Sequence, residues 1–480
     1  MRGILGLGIA LLALMATPVH AAEALDGASM SVFWALPFCG ILLSIALGPL
    51  LFAQWWHPHY GKAAAFWGLA ALIPLGVSFG WSTTAAALFH TAALEYVPFI
   101  LMLFALFTAA GGLVIRGNLH GSPVFNTGFL LAGSFLASLI GTTGAAMVLI
   151  RPLIRANDNR AHNAHVFVFF IFLVANVGGS LTPLGDPPLF LGFLRGVEFF
   201  WTTKHLFIEM IFMVVCLLVI FFLLDSYLYR KEGVTPDPTP DTDKFSVTGL
   251  ANLALIGVAV AAIIVSGMWK PNISVTILGT ELQLQNLMRE AVMIAVGVAS
   301  VLITSREDRE ANGFEWEPLI EVAKLFAAIF TCIIPVMAML HAGKDGVLAP
   351  IVALVSNKDG SPNPAAYFWL TGLLSSFLDN APTYLVFFQL AGGDPVNLMY
   401  QQTQVLIAIS IGAVFMGANT YIGNAPNFMV YSMARNAGVK MPSFFGYMLW
   451  SGAILLPLFA AVTYLCLLYT SPSPRDLSTS

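Results

Sequence analysis

Long apolar runs separated by short polar connections dominate the chain. They lie near residues 32–53, 63–80, 96–115, 165–194, 205–229, 246–269, 288–305, 319–340, 401–434 and 443–465. Each is near or above the roughly 17–25 residues that carry an α-helix across a bilayer. Backbone N–H and C=O groups in lipid must be satisfied within the segment, so such runs predict helices. Two further apolar regions, 122–155 and 364–392, are interrupted in their middles by small or polar residues. These predict re-entrant hairpins, which enter and leave on one side. The expected class is an all-α polytopic membrane protein.

Two of the long runs also break. Residues 165–194 contain Thr182-Pro183-Leu184-Gly185-Asp186-Pro187-Pro188, and residues 401–434 contain Thr420-Tyr421-Ile422-Gly423-Asn424-Ala425-Pro426. Proline lacks an N–H and clashes with the preceding turn. Gly185, Pro187 and Pro188, then Gly423 and Pro426, with Pro382 at the second hairpin tip, are therefore expected to mark breaks. Irregular backbone at membrane depth survives only where protein or a watery cavity covers it.

These interruptions repeat. A shift of 238 residues without a gap carries Thr182 onto Thr420, Gly185 onto Gly423 and Asp186 onto Asn424. The same shift carries Ser138-Leu139-Ile140-Gly141-Thr142-Thr143-Gly144 onto Ser376-Phe377-Leu378-Asp379-Asn380-Ala381-Pro382. One offset aligning two separate motifs divides the chain into halves, 32–229 and 246–465, joined by the polar, proline-bearing linker 230–245. Lys and Arg orient them. With the N-terminus outside, the inner loops collect Lys62, Arg116, Arg151, Arg155, Arg160, Arg230, Lys231, Lys244, Arg306, Arg309, Arg435 and Lys440, about twice the outer number. That bias requires both hairpins to be re-entrant and makes the halves inverted. Paired broken helices in an inverted repeat point to a transport site near the midplane.

Composition agrees: 58% of the 480 residues are hydrophobic and 10% charged, against about 25% charged in soluble domains. A net charge of −4 says little about partners when most of the chain is in lipid, and no nucleic-acid partner is expected. The four cysteines lack metal-ligand spacing, and no nucleophile–base pair or structural metal cluster suggests an enzyme. Residues 1–22 read as a cleaved secretory signal, with a retained first helix as the alternative. Residues 466–480 resemble the translation of a sequencing-library adapter and are assigned no function.

The candidate chemistry is that of a cation leaving water. Sodium accepts backbone carbonyls, hydroxyls, amide oxygens and a carboxylate. The first half offers Thr142 and Thr143 at its hairpin tip, Asn176, and Thr182 with Asp186 in the break. The second offers Asp379 and Asn380 at the tip, and Thr420 with Asn424 in the break. A carboxylate in the membrane costs about 2.5–3.5 kcal/mol or more, so Asp186 and Asp379 each want a proton or a cation. Competition between the two is an antiport mechanism, with no cofactor. His162 and His165 are expected in a solvated loop. Arg151 and Arg155 are expected to snorkel.

The motifs Gly141-Thr142-Thr143-Gly144, Arg151-Pro152-Leu153-Ile154-Arg155-Ala156-Asn157, Asn176-Val177-Gly178-Gly179 and Thr182 to Pro188 resemble the ion transporter superfamily. The nearest likeness is to the NhaD-type sodium/proton antiporters, within the arsenite-permease and citrate-transporter-like group. The resemblance implies an inverted-repeat secondary transporter with two re-entrant hairpins, a scaffold, a moving transport domain and often a homodimer. Dicarboxylate members carry Ser-Asn-Thr at both tips; here the tips read Gly-Thr-Thr and Asp-Asn-Ala. The expectation is a sodium (or lithium)/proton antiporter of a bacterial inner membrane. A cation-coupled organic anion or arsenite porter is the alternative.

Overall fold

The computed structural model describes residues 25–117, 119–233, 246–343 and 346–468. The expected signal 1–22, linker residues 234–245 and tail residues 469–480 lie outside them. Helices account for most of the described chain, and nine of them are long and apolar enough to cross a membrane. The protein is an all-α polytopic membrane protein.

The first half opens with α1 (Leu36–Leu51), α2 (Ala53–Phe79), α3 (Trp81–Thr91) and α4 (Val97–Ala110). Two details depart from the hydropathy pattern. Helix α2 begins ten residues before the apolar run, so Lys62 sits inside a helix rather than a loop. Helix α3 precedes the run expected at 96–115 and joins α4 through one π-helical turn, Ala92–Tyr96. The Ala-rich stretch before Tyr96 has good helix propensity but modest hydropathy, which a hydropathy window undervalues. A short strand, β1 (Val114–Arg116), follows.

Then comes the first helical hairpin, α5 (Pro123–Ile140) and α6 (Thr142–Ala156). Ser122 caps α5 by accepting from the Phe125 N–H (3.2 Å), with Pro123 at the first helical position. Gly141 alone separates the two arms. Its φ of +85° belongs to the region that glycine enters without steric cost. The first broken helix is α7 (Ala164–Leu173), an irregular stretch, and α8 (Pro187–Leu194). Helix α9 (Phe199–Glu232) closes the half, so the first residues of the expected linker are helical.

The second half repeats this plan. It starts at β2 (Ser246–Thr248), antiparallel to β1 with Ile115 opposite Val247. There follow α10 (Ala251–Met268), a ribbon of β3 (Ser274–Ile277) and β4 (Thr280–Gln283), α11 (Leu284–Ile303), α12 (Arg306–Ala311), α13 (Glu317–His341) and α14 (Ala349–Leu354). The second hairpin is α15 (Pro364–Phe377) and α16 (Asn380–Leu390), again opened by a capping side chain and a proline, Asn363 and Pro364. After α17 (Pro395–Tyr400) comes the second broken helix, α18 (Thr403–Met416) and α19 (Ala425–Asn436). Helix α20 (Phe444–Val462) continues into a π-helical turn, Thr463–Leu468, where the described fold ends.

The halves interlock. Helix α16 of the second hairpin packs on α8 of the first broken helix, and α6 of the first hairpin packs on α19 of the second. Gly192 lets α8 approach so closely that an added Cβ would lie 2.3 Å from the Tyr384 hydroxyl of α16. Residues Val166 to Ala175 of the first broken helix are 0% exposed, whereas Val219 and Leu223 of α9 and Leu302 of α11 are exposed apolar groups suited to lipid. The irregular backbone thus lies in the protein interior, where its polar groups find partners.

Candidate transport site

Both breaks have one design. The irregular stretch begins at Val174 in the first break, just ahead of Gly178 and Gly179, and at Gly417 in the second, in both cases earlier than the prolines. Each break then folds back on itself. A Cβ on Gly185 would lie 2.1 Å from the Gly179 carbonyl oxygen, and one on Gly423 would lie 2.5 Å from that of Gly417. Only glycine fits either position. Thr182 donates to the Ser138 carbonyl (2.5 Å) and accepts from the Leu184 N–H (3.2 Å). Thr420, its repeat mate, donates to the Ser376 carbonyl and accepts from the Ile422 N–H (3.2 Å). These two threonines tie each break to the hairpin of its own half; the structure does not bring them to the carboxylate.

The prolines begin helices as well as end them. Pro187 and Pro188 open α8, and Pro426 is the second residue of α19. Pro382 is the third residue of α16. A missing N–H costs nothing in the first turn, where that group has no intrahelical partner.

Asp186 is the residue before α8, with extended backbone (φ −141°, ψ 142°). Asn424 is the residue before α19, with the same conformation (φ −151°, ψ 140°). The two hairpin tips reach between them. Asp186 Oδ1 accepts from Thr142 Oγ1 (2.9 Å) and Asn424 Nδ2 (3.1 Å), and its Oδ2 accepts from Asn380 Nδ2 (2.5 Å). The Thr142 N–H also donates to the Gly185 carbonyl (2.8 Å). Thr142 and Asn380 are repeat mates, as are Asp186 and Asn424. Two tips and two breaks therefore meet on one carboxylate, and all four residues are at most 3% exposed. Four helix N-termini, those of α6, α8, α16 and α19, converge there, and their dipoles favour negative charge. Hydrogen bonds to a charged group contribute about 1.5–3 kcal/mol each. One atom is left over: Asn380 Oδ1 is buried without a partner.

Other expected residues fall elsewhere. Asn176 stands one residue removed, its Oδ1 3.3 Å from Asn424 Nδ2. Thr143 is half-buried, next to Thr142 but outside the cluster. Asp379 is half-buried and caps α16 by accepting from the Ala381 N–H (3.0 Å), leaving its neighbour Asn380 to reach Asp186.

Some groups have roles that the sequence pattern did not indicate. His165 is 2% exposed rather than solvated: its Nε2 is 2.8 Å from Asp225 Oδ1. Arg160, expected in a loop, donates to the same oxygen (2.7 Å), to Glu232 (3.0 Å) and to the Gly121 carbonyl (2.9 Å). Asn126 of α5 donates to Asp225 Oδ2 (3.1 Å). This buried ion cluster ties the foot of the first hairpin to α9. Asn427, inside an apolar run, is 0% exposed and bonds Asn176 (2.7 Å). A cavity of about 570 Å³ lies apart from the cluster, lined by Phe193, Leu194, Lys270, Gln285 and Arg289 among others.

Comparison with known proteins agrees with this architecture. Residues 27–467 match the family described as "Putative citrate transport". The chain belongs to this family. Among curated relatives of this citrate-transport family member, a "46 kDa membrane protein" of Mycobacterium leprae is 23% identical over 332 residues, covering 67% of this chain and 72% of its own. Uncharacterized transporters of Mycobacterium bovis and Mycobacterium tuberculosis are each 22% identical over the same length and shares. As a member of the family, the chain is a multi-pass membrane transporter.

Proposed function

We propose that the protein is a secondary active transporter exchanging sodium or lithium for protons, with Asp186 as the carrier. The observation that carries this reading is the single carboxylate, 1% exposed, on which both hairpin tips and both breaks converge. A carboxylate that deep is neutralised by a proton or by a cation. Sodium would find Asp186, the Thr142 hydroxyl and the unpartnered Asn380 Oδ1, and binding would relieve the cost of about 1–3 kcal/mol of leaving that oxygen unpaired. Proton and cation cannot occupy the same oxygens together, so loading one releases the other. Asp379, one residue from Asn380, is proposed as a second carboxylate on the path. The bacterial inner membrane is the proposed location.

Proteoliposomes holding a pH dye test this. A sodium or lithium jump should move protons at some pH between 6 and 9; no cation-triggered proton movement across that range overturns the reading.

A second reading is cation-coupled uptake of an organic anion such as citrate. The family description favours it, and four converging helix N-termini would suit an anion once a cation has neutralised Asp186. Sodium-dependent uptake of labelled citrate without sodium-driven proton flux would establish it instead.

A further inference from the structure

Three side-chain amides run in series from the second break to Asp186. Asn427 Nδ2 donates to the carbonyls of Gly417 (2.8 Å) and Thr420 (2.9 Å). A carbonyl only accepts, so this end of the amide carries the hydrogens, and Oδ1 must face Asn176. Asn176 Nδ2 donates to that oxygen (2.7 Å) and to the Ile171 carbonyl (2.8 Å). The same logic turns Asn176 Oδ1 toward Asn424, whose Nδ2 lies 3.3 Å away. Asn424 Nδ2 also lies 3.1 Å from the Ala175 carbonyl and 3.1 Å from Asp186 Oδ1. Backbone carbonyls along the whole series, those of Gly417 and Thr420 at the far end and of Ile171 and Ala175 nearer the acid, therefore agree that a donor, rather than an acceptor, faces the carboxylate.

The internal repeat does not explain this series. The 238-residue shift places Leu189 opposite Asn427 and Val414 opposite Asn176, and neither can take part. The amides join the two breaks on one side only, the side that answers the single acid.

We propose that Asn427 is a positioning residue for the Asp186 site: through Asn176 it helps hold the Asn424 amide with its N–H side toward Oδ1 of the carboxylate. Its functional meaning rests on Asp186 as the ion carrier; its geometric content does not. Without Asn427 the Asn176 amide keeps only the Ile171 carbonyl to orient it, so its oxygen grips the Asn424 amide less firmly, and a less firmly held donor facing Asp186 would disfavour the ionised carboxylate. The plainer role, sealing the carbonyls of Gly417 and Thr420, would stabilise the fold and leave Asp186 chemistry alone.

Site-resolved carbodiimide labelling separates the two, because the reagent attacks protonated buried carboxyls. The full chain in nanodiscs is labelled at one fixed pH, with and without sodium, and modification of Asp186 is quantified by mass spectrometry. Asn427→Leu and Asn176→Leu are compared with Ser451→Ala, which removes a bond to the Asn419 carbonyl (2.8 Å) in the same break but outside the series. The expected result is a rise of up to about tenfold in Asp186 labelling in both Leu variants, from the weakening of one charge-assisted hydrogen bond. The double variant should add little, and the Ser451 variant should label like the native protein. Labelling of folded Asn427→Leu or Asn427→Ser unchanged from native overturns the proposal. So does a set in which every variant of the series fails to fold while Ser451→Ala folds, since the series is then a structural tie. Altered labelling with neither sodium protection nor sodium-driven proton flux would remove the antiport reading and leave this inference standing.

Discussion

Asp186 and Asn424 occupy the same place in the two breaks, each with extended backbone just before a proline-bearing helix. Thr142 and Asn380 occupy the same place after the two hairpin tips. The folds of the halves are alike, and the chemistry is not. One member of these two equivalent pairs carries a charge, and the other three residues supply neutral donors to it. The tips differ as well. Gly141 needs a positive φ of +85°, whereas its mate Asp379 turns with φ −60° and spends its side chain on the cap of α16. Repeated backbone builds the cage, and a single acid gives it its charge.

The largest test removes that difference. Asp186→Asn makes the two breaks chemically alike. Ion exchange in proteoliposomes should fall about 100-fold or more, the scale of losing a positioned proton carrier, while thermal unfolding in detergent changes little. Exchange surviving the substitution would show that the asymmetry is not the source of the ion chemistry.

Next are the glycines that let each break fold back. Gly185→Ala and Gly423→Ala should each lower stability by about 1–3 kcal/mol, the usual cost of overpacking. The first should cost more, because its Cβ meets backbone oxygen at 2.1 Å rather than 2.5 Å. Unfolding temperatures measured side by side check the order; a reversed order would mean that the breaks relax differently.

Asp379→Asn should be milder than Asp186→Asn. Asparagine caps a helix about as well as aspartate, so α16 should keep its start and exchange should drop by less than about tenfold. A loss as large as that of Asp186→Asn would make Asp379 an equal carrier and leave its cap incidental.

The smallest effect lies far from the site. The Thr248 hydroxyl, with Ser305 and Arg116, holds the Asp308 carboxyl below the usual carboxylate range. A lowered folded-state value means stability that is present above the unfolded value, near pH 4, and lost as pH falls through the folded one. Unfolding temperature should therefore decline on acidification below about pH 4, and Asp308→Asn should flatten that limb.

How much was legible in the sequence differs from residue to residue. The spans were readable because burial in lipid demands length and apolarity, both local properties. The breaks were readable because proline and glycine act on their own turn. The meeting of Thr142, Asp186, Asn380 and Asn424 was legible in part, because one offset aligned two motifs. Asp379 stood out as a charge in an apolar run, and nothing local revealed that its side chain faces its own helix start.

The sequence by itself determined the membrane class, the doubled architecture, the positions of the breaks and the one acid inside a break. Each follows from composition, period or local backbone chemistry. Only the tertiary structure decided the rest. Asn427 reaches Asn176 across 251 positions, and His165 and Arg160 reach Asp225 across 60 and 65. Whether a buried polar group is a ligand, a tie or a member of a relay depends on which donors and acceptors surround it. Those partners come from distant segments that only the packing of the two halves brings together.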